Sequence, residues 1–321
     1  MHYLFTDLFA GPGGLDHGIH AAGHPSVGIE WDTNAVATRH AAGLATVHGD
    51  VRQYGPADFP DANALAGGPP CQTFSGAGPG SGRAQLNRIV AAVKQAGVDG
   101  QVLPPAGLDK RTSLVLEPLR WLLEAERLGR RYEAVVLEQV PAVAPVWEAY
   151  AEVLAGRGYS VATGVLRTEQ YGLPQTRRRA VLLARYGTPV ALPAPTHRPY
   201  RRGVPRADGD PALLPWVSMA DVLPDRGPFT VISNYGTGGD PKARGRRDCD
   251  EPAFTVTGKI SRLRLVDPDG RELPRLTAAE ACVLQGFPAD WPWSGADISQ
   301  QIGNACPPTL ARALVEAVAA E

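Results

Sequence analysis

The chain has 321 residues, is 44% hydrophobic and 20% charged, and carries a formal net charge of −1, a balance that excludes a disordered chain and leaves room for one large domain or two ordinary ones. A near-neutral total points to no polyanionic partner by itself, so charge has to be followed segment by segment. No apolar run is long enough for a membrane span, and the four cysteines (Cys71, Cys249, Cys282 and Cys306) form no CxxC pair for zinc, so neither a membrane nor a metal is expected.

In chain order, residues 3–9 predict a strand, followed by a glycine-rich turn and a helix over 15–22. A strand opening the chain in place of a secretory signal, together with unpaired thiols, predicts a cytoplasmic protein. Residues 26–30 predict a second strand, 33–42 a helix, and 47–48 and 63–66 further strands. A Gly/Ser/Pro-rich loop at 76–82, a helical segment at about 84–95 and more Gly and Pro to 105 follow, which suits equally a lid over a site or a flexible surface insertion. Residues 132–137 predict a strand, 146–157 a helix, and 159–166 and 179–184 strands. This β-α-β-α order predicts a mostly parallel, doubly wound α/β sheet. Residues 187–275, rich in Pro, Gly and Arg, predict a smaller, irregular or β-rich domain. Helical patterns return at 277–284 and 308–320, the last expected to pack back on the first domain.

Ligands bind at the strand ends of such sheets. The turn from Asp7 through Phe9, Gly11, Gly13 and Gly14 to Leu15 lies at the first strand end, where glycines allow a tight turn and close approach to a ligand. Glu30 ends the second strand, where a carboxylate can bind ribose hydroxyls; Trp31 can pack on an adenine face, and Asp50 can accept from an adenine amino group. The alternatives are that Asp50 caps a helix and Trp31 is core. With no GxGxxG pattern and no basic residue nearby, these residues together favour an adenosyl cofactor without phosphates.

Cys71 follows Gly67-Gly68-Pro69-Pro70 at the end of the strand 63–66, a placement suited to a nucleophile, since a cation or a helix N-terminus there would lower its pKa. Cys282 and Cys306 read as inert packing thiols. Glu138 ends the strand 132–137 and can face the same cleft, or be a surface acid. In Gln175-Thr176-Arg177-Arg178-Arg179, alternation puts Arg177 and Arg179 on one face and Arg178 on the other, where a solvated edge suits Arg178.

These stretches, with Arg275-Leu276-Thr277, Glu280, Leu284-Gln285-Gly286-Phe287-Pro288 and Gln301-Ile302-Gly303-Asn304, resemble the ordered motifs of the bacterial-type DNA (cytosine-5-)-methyltransferases over nearly the whole chain. Two departures stand out: Glu138-Gln139-Val140 replaces the family's Glu-Asn-Val, and the segment between Cys71 and Glu138 is longer than usual. The resemblance implies a Rossmann-like S-adenosylmethionine-dependent catalytic domain over 1–189 and 296–321, a target-recognition domain over 190–275 and a hinge over 276–295. It implies that the Cys71 thiolate adds to C6 of a flipped-out cytosine, that Glu138 protonates or hydrogen-bonds N3, that Arg179 binds O2 and that Arg177 helps hold the site. S-adenosyl-L-methionine, leaving as S-adenosyl-L-homocysteine, would be held by the glycine-rich turn, Glu30, Trp31, Asp50, Val51, Pro70 and Asn304. Gln72, Ser75 and Gln175 would face the substrate, and 76–82 would close over it. The partner implied is double-stranded DNA in the nucleoid, bound by a monomer; a separate cognate restriction endonuclease stays open.

Local charge agrees with that partner. Nine arginines (167, 177, 178, 179, 185, 198, 201, 202 and 206) face one acid, Glu169, between 167 and 206. Further clusters are Lys242, Arg244, Arg246 and Arg247, and Lys259, Arg262 and Arg264. Each can be a solvated face, but their concentration favours phosphates. Arginine is also the commonest reader of guanine, so base readers are expected at 234–239 and among Arg244, Arg246, Lys259 and Arg262. The alternatives weighed are RNA cytosine methylation by the same fold, a catalytically dead binding subunit, against which Cys71 and Glu138 speak, and a small-molecule methyltransferase, against which the arginine-rich second domain speaks.

Overall fold

The computed structural model of this chain describes residues 2–70, 72–74, 81–233 and 244–320. Strands β1 (Phe5–Leu8), β2 (Ser26–Glu30), β3 (Thr46–His48), β4 (Ala64–Gly67), β5 (Ala134–Gln139), β6 (Tyr159–Arg167) and β7 (Arg178–Tyr186) form one sheet in the order β3-β2-β1-β4-β5-β7-β6. The first five run parallel, as predicted, and β7 runs antiparallel to both β5 and β6. The reversal matters for the site. Gln139, the last residue of β5, pairs with Ala180 near the start of β7, so the first residues of β7 lie at the carboxyl ends of the parallel strands.

Both faces of the sheet are covered, and side-chain alternation decides which residue goes where. Ala64, Val136 and Val181 pack with Ile19 of α1 (Gly14–Ala21) and Leu310 and Leu314 of α10 (Pro308–Ala319). Their neighbours Leu65, Val135 and Leu182 pack on the other face, against α4 (Leu86–Asp99), α5 (Glu117–Arg127) and α6 (Ala144–Ala155), where Trp121 and Trp147 are wholly buried. The C-terminal helix therefore docks on the first domain, as expected from its sequence. Helix α2 (Thr33–Ala41) links β2 to β3, and α3 (Ser81–Ala84) precedes α4.

Helix α4 ends four residues past the predicted end and buries Ile89, Val93 and Ala96. A Cβ on Gly97 would stand 2.8 Å from Val153 Cγ2, so this part of the long segment is closely packed core and not a loose surface insertion. Helix α5 has no counterpart among the sequence expectations.

The smaller unit is an antiparallel sheet of β8 (Thr230–Ile232), β9 (Arg246–Asp248), β10 (Arg264–Val266) and β11 (Glu272–Leu273), in the order β11-β10-β8-β9. Its core joins Met219 of α7 (Met219–Val222), Val231, Leu265, Leu284 of α8 (Ala278–Leu284), Phe287 and Ile302 of α9 (Ile298–Asn304). Thr277 and Glu280 of the Arg-Leu-Thr motif form a capping box at the start of α8. Among the described residues no helix is long and apolar enough to cross a membrane, and no cluster of side chains is arranged for a metal.

Candidate active site

Between β1 and α1 the chain turns through left-handed conformations at Phe9 (φ 61°), Gly11 (φ 55°) and Gly13 (φ 98°). For Phe9, a non-glycine residue, this costs about 1–3 kcal/mol, a strain characteristic of functional turns. Glu30 holds the turn. Its Oε2 accepts from the Gly11 amide at 2.7 Å, and its Oε1 from the amides of Trp31 at 2.8 Å and Asp32 at 2.7 Å. Burial raises the Glu30 pKa, and these amides pull the other way. A carboxylate has about four acceptor positions, so one remains for a hydroxyl. Gly11 has open space beside it, and the Trp31 ring is 63% exposed, which removes the core alternative.

Other residues of the expected cofactor set serve packing. A Cβ on Gly14 would lie 2.1 Å from the Cys306 carbonyl oxygen, and one on Gly13 would lie 2.3 Å from Leu44 Cδ1. Leu15 and Val51 are core. Asp7, expected at the cofactor, is fully buried under the turn. Burial and the neighbouring Asp16 raise its pKa well above the carboxylate range, whereas Asp16 is held low, against its burial, by Arg39 at 2.5 Å. Burial thus disfavours the charge on Asp7, while Arg39 favours the charge on Asp16. Asp50 caps the turn Val51–Gln53 and pairs with Arg52 at 2.5 Å, so its capping alternative is realised; the Arg52 hydrogen bond lowers its pKa. Pro70 is partly exposed, and Asn304 is exposed at the end of α9, where it accepts from Gln300 at 2.7 Å.

At the end of β5, Glu138 Oε2 lies 3.0 Å from Arg179 Nε, both side chains 9% exposed. A Cβ on Gly68 would come within 3.0 Å of Glu138 Oε1, so the glycine before Pro69-Pro70 makes room for the carboxylate. Gln139 donates its side-chain N–H to the Pro69 carbonyl and accepts from the Val140 amide. The residue that departs from the family pattern thus fastens the turn that leads to Cys71. Cys71, Ser75, the rest of the loop to 80, the predicted base readers at 234–239 and Lys242 lie outside the described residues. Gln72 is exposed and accepts from Arg111 Nη1 at 2.7 Å.

The arginines divide as alternation predicted. Arg177 and Arg179 are buried and Arg178 is exposed. Arg177 donates to the carbonyls of Val256 (2.9 Å), Gly303 (3.1 Å) and Ala305 (3.2 Å), joining the two units from beneath. Gln175, expected to face the substrate, is instead wholly buried. Its amide nitrogen donates to the Leu284 carbonyl (2.8 Å) and Gln285 Oε1 (2.6 Å), and its oxygen accepts from the Val256 amide (2.9 Å). Both ends of the side chain are spent on the join. Of the expected base readers, Arg246, Lys259 and Arg262 are exposed and Arg244 is half-buried.

A cleft of about 560 Å³ opens between the large sheet and the small unit, lined by Phe74, Val140, Arg178, Arg179, Glu169, Tyr200 and Arg247 among others. Of the last three, Tyr200 was not singled out from the sequence, Glu169 appeared there only as the acid among nine arginines, and Arg247 only as part of a basic cluster. Glu169 is 2% exposed, and its Oε2 has no hydrogen-bond partner among the described residues. Burial raises its pKa, against the pull of its own backbone amide and of Arg167, Arg247 and Arg178. The Arg247 guanidinium lies 4.5 Å from the centre of the Tyr200 ring and 4.9 Å from that of Phe254, and burial lowers its pKa. Nothing local in the sequence marks this arrangement, because its parts are brought together from three distant segments. Cys282 and Cys306 are buried as expected: burial pushes the Cys282 thiol up to about 11 and raises that of Cys306.

The chain has counterparts elsewhere. The family description C-5 cytosine-specific DNA methylase matches residues 3–89 and 230–320. The Type II methyltransferase M1.HphI of Haemophilus parahaemolyticus is 26% identical over 352 aligned positions, covering 99% of this chain and 87% of that protein. M.AplI of Arthrospira platensis is 29% identical, covering 98% and 85%. Among solved structures, the fold is similar to the S. pombe Dnmt2 methyltransferase (TM-score 0.62, 17% identity, covering 99% of this chain and 98% of that one) and to the Entamoeba histolytica methyltransferase EhMeth (TM-score 0.60, 14% identity, covering 99% and 98%). With more than half of its length matched in two blocks that hold the glycine-rich turn, Pro69-Pro70-Cys71-Gln72 and Gln301-Ile302-Gly303-Asn304, the chain belongs to the C-5 cytosine-specific DNA methylases.

Proposed function

We propose that this DNA methyltransferase methylates C5 of a cytosine flipped out of a specific duplex sequence, through a covalent bond between Cys71 and C6. The observation that carries the reading is the buried pair of Glu138 and Arg179, whose arginine lines the cleft and whose carboxylate is followed in β5 by Gln139, which is tied to the turn before Cys71.

Cytosine C5 is a weak nucleophile, and a stacked base offers no access to its ring faces, so the base leaves the stack. Addition of the Cys71 thiolate to C6 pushes electron density to C5 and N3. Glu138, as a proton donor or hydrogen-bond partner at N3, and Arg179, at O2, stabilise the charge that develops. S-adenosylmethionine, when bound, supplies an electrophilic methyl group. Transfer to C5 is followed by loss of the C5 proton to water and expulsion of the thiolate, which restores the ring. The spare acceptor of Glu30, the exposed Trp31 ring and the open side of Gly11 fit an adenosyl group. Arg246, Lys259 and Arg262 present cations to the duplex, with the small sheet as the target-recognition domain. The Type II names of the relatives favour a role in a restriction–modification system.

A duplex carrying 5-fluorocytosine at the methylated position tests the reading, because fluorine cannot leave as a proton does. A stable protein–DNA adduct, localised to Cys71 by peptide mass analysis, is expected. A substrate that is methylated when unmodified yet gives no adduct when fluorinated would overturn C6 attack.

A further inference from the structure

The proposed chemistry leaves one acid of the cleft wall without a task. Glu169 sits on the short turn Thr168–Tyr171 after β6, a turn fixed by the Thr168 hydroxyl, which donates to the Gln175 carbonyl at 3.0 Å. The acid is 2% exposed, and its Oε2 accepts no hydrogen bond from the described residues. A buried carboxylate oxygen without a donor is costly, so a place for one in a cleft wall points to a donor that arrives with a ligand.

The surroundings limit what that donor can be. Arg247 belongs to the same wall, but its Nη1 donates to the Pro252 carbonyl at 2.6 Å and its Nη2 to Thr176 Oγ1 at 3.2 Å. Its guanidinium carbon lies within 5 Å of the centres of both the Tyr200 and the Phe254 rings. It therefore adds a cation to the wall, and Glu169 Oε2 accepts from none of its N–H groups. A phosphate brings no proton to share and would be repelled by the carboxylate. The neutral donors that paired bases present in the grooves are their exocyclic amino groups, and a carboxylate is a known acceptor for cytosine N4.

We propose that Glu169 is a base-reading residue, whose carboxylate accepts from the exocyclic amino group of a DNA base other than the target cytosine, with Tyr200 and Arg247 forming the wall beside that base. The target itself is held by Glu138 and Arg179. This inference rests on the function proposed above.

The test uses the full-length protein on its own recognition duplex, once mapped by sequencing methylated cytosines. Each amino-bearing base other than the target is replaced in turn by a counterpart without the amino group: hypoxanthine for guanine, purine for adenine, 2-pyrimidinone for cytosine. For the wild type, one position is expected to cost about tenfold to a hundredfold in kcat/KM. At that position Glu169→Ala should lose less than about twofold, because the acceptor is already gone. Glu169→Gln keeps an oxygen acceptor without the charge, so it should show a reduced cost at the same position and unchanged costs elsewhere; it carries the test alone if the alanine variant does not fold. Identical cost profiles in wild type and variants, or no sensitive position in the wild type, would overturn the proposal. A wild type that methylates no cytosine would instead overturn the functional reading, and the proposal with it.

Discussion

Arg179 reaches Glu138 across the junction of an antiparallel strand with a parallel one, Nε to Oε2 at 3.0 Å, and both side chains are nine-tenths buried. The pair exists because β7 runs against β5, so an arginine at the start of one meets a carboxylate at the end of the other. Removing one partner leaves an uncompensated buried charge, at a cost of about 3–5 kcal/mol. Arg179→Ala should therefore lower both the melting temperature and methyl transfer. Glu138→Gln removes the charge and keeps the shape, so single-turnover methylation should fall by about 10²–10⁴-fold. A near-normal single-turnover rate for Glu138→Gln would remove its N3 role.

Cys71→Ala should abolish methyl transfer and adduct formation while leaving the cofactor turn untouched, since Glu30 and Gly11 bond to each other across β2 and the first turn. Calorimetric titration with S-adenosylmethionine should give an affinity within about threefold of the wild type, allowing for the usual scatter between variants. Residual turnover above background would place the nucleophile elsewhere.

Gly14 and Gly18 should tolerate no side chain. A Cβ at Gly18 would fall 2.4 Å from Ala311 Cβ and 2.6 Å from the Arg312 amide nitrogen, where a helix backbone would have to move. Gly18→Ala should destabilise by about 1–3 kcal/mol or more through overpacking of α1 on α10, read as a drop in the urea midpoint. Arg312→Ala, on the exposed side of α10, should change it little, since its ion pair with Glu316 is half-exposed.

If the exposed cations of the small unit meet phosphates, each lost contact should lower the salt slope of DNA binding by about 0.9. Arg246→Ala, Lys259→Ala and Arg262→Ala, measured by anisotropy from 50 to 300 mM salt, should separate phosphate contacts from base contacts. A phosphate contact flattens the slope on every sequence, and a base contact costs affinity on the cognate sequence alone.

How far the site was legible in the sequence follows from the range of the interactions that make it. The placement and burial of Glu138, Arg177 and Arg179 were legible because strand ends and period-two alternation are local properties. So was Glu30, at the end of an apolar run. Gly14 and Gln175 misled for the opposite reason. The partner of Gly14 is the carbonyl of Cys306, and that of Gln175 is Gln285, 110 residues away; a glycine or an amide looks the same in sequence whether it meets a ligand or its own chain. Asp7 misled because a carboxylate at a strand end suggests a ligand, whereas Asp16, from the following helix, lies beside it underneath. Glu169 was passed over as one acid among nine arginines, and only its burial and its missing donor set it apart.

The placement of Asp7 has a consequence in pH. The fold raises the pKa of this carboxyl, first by burial and then through Asp16. A group whose folded pKa lies above its unfolded value contributes its full stability below the unfolded pKa, about 3.9 for Asp, and loses it as pH rises through the folded pKa. In that window the loss is at most about 1.4 kcal/mol per pH unit. Asp7→Asn keeps the shape, has no proton to lose and can donate its amide to Asp16. The variant should therefore melt increasingly above the wild type as pH rises from the unfolded pKa, about 3.9, to the folded one, and by a constant margin beyond it. Its affinity for S-adenosylmethionine should be unchanged, because the side chain lies beneath the turn and not at its surface. A melting difference independent of pH would mean that Asp7 is ionised in the fold, and a large loss of cofactor affinity would restore it to the binding set.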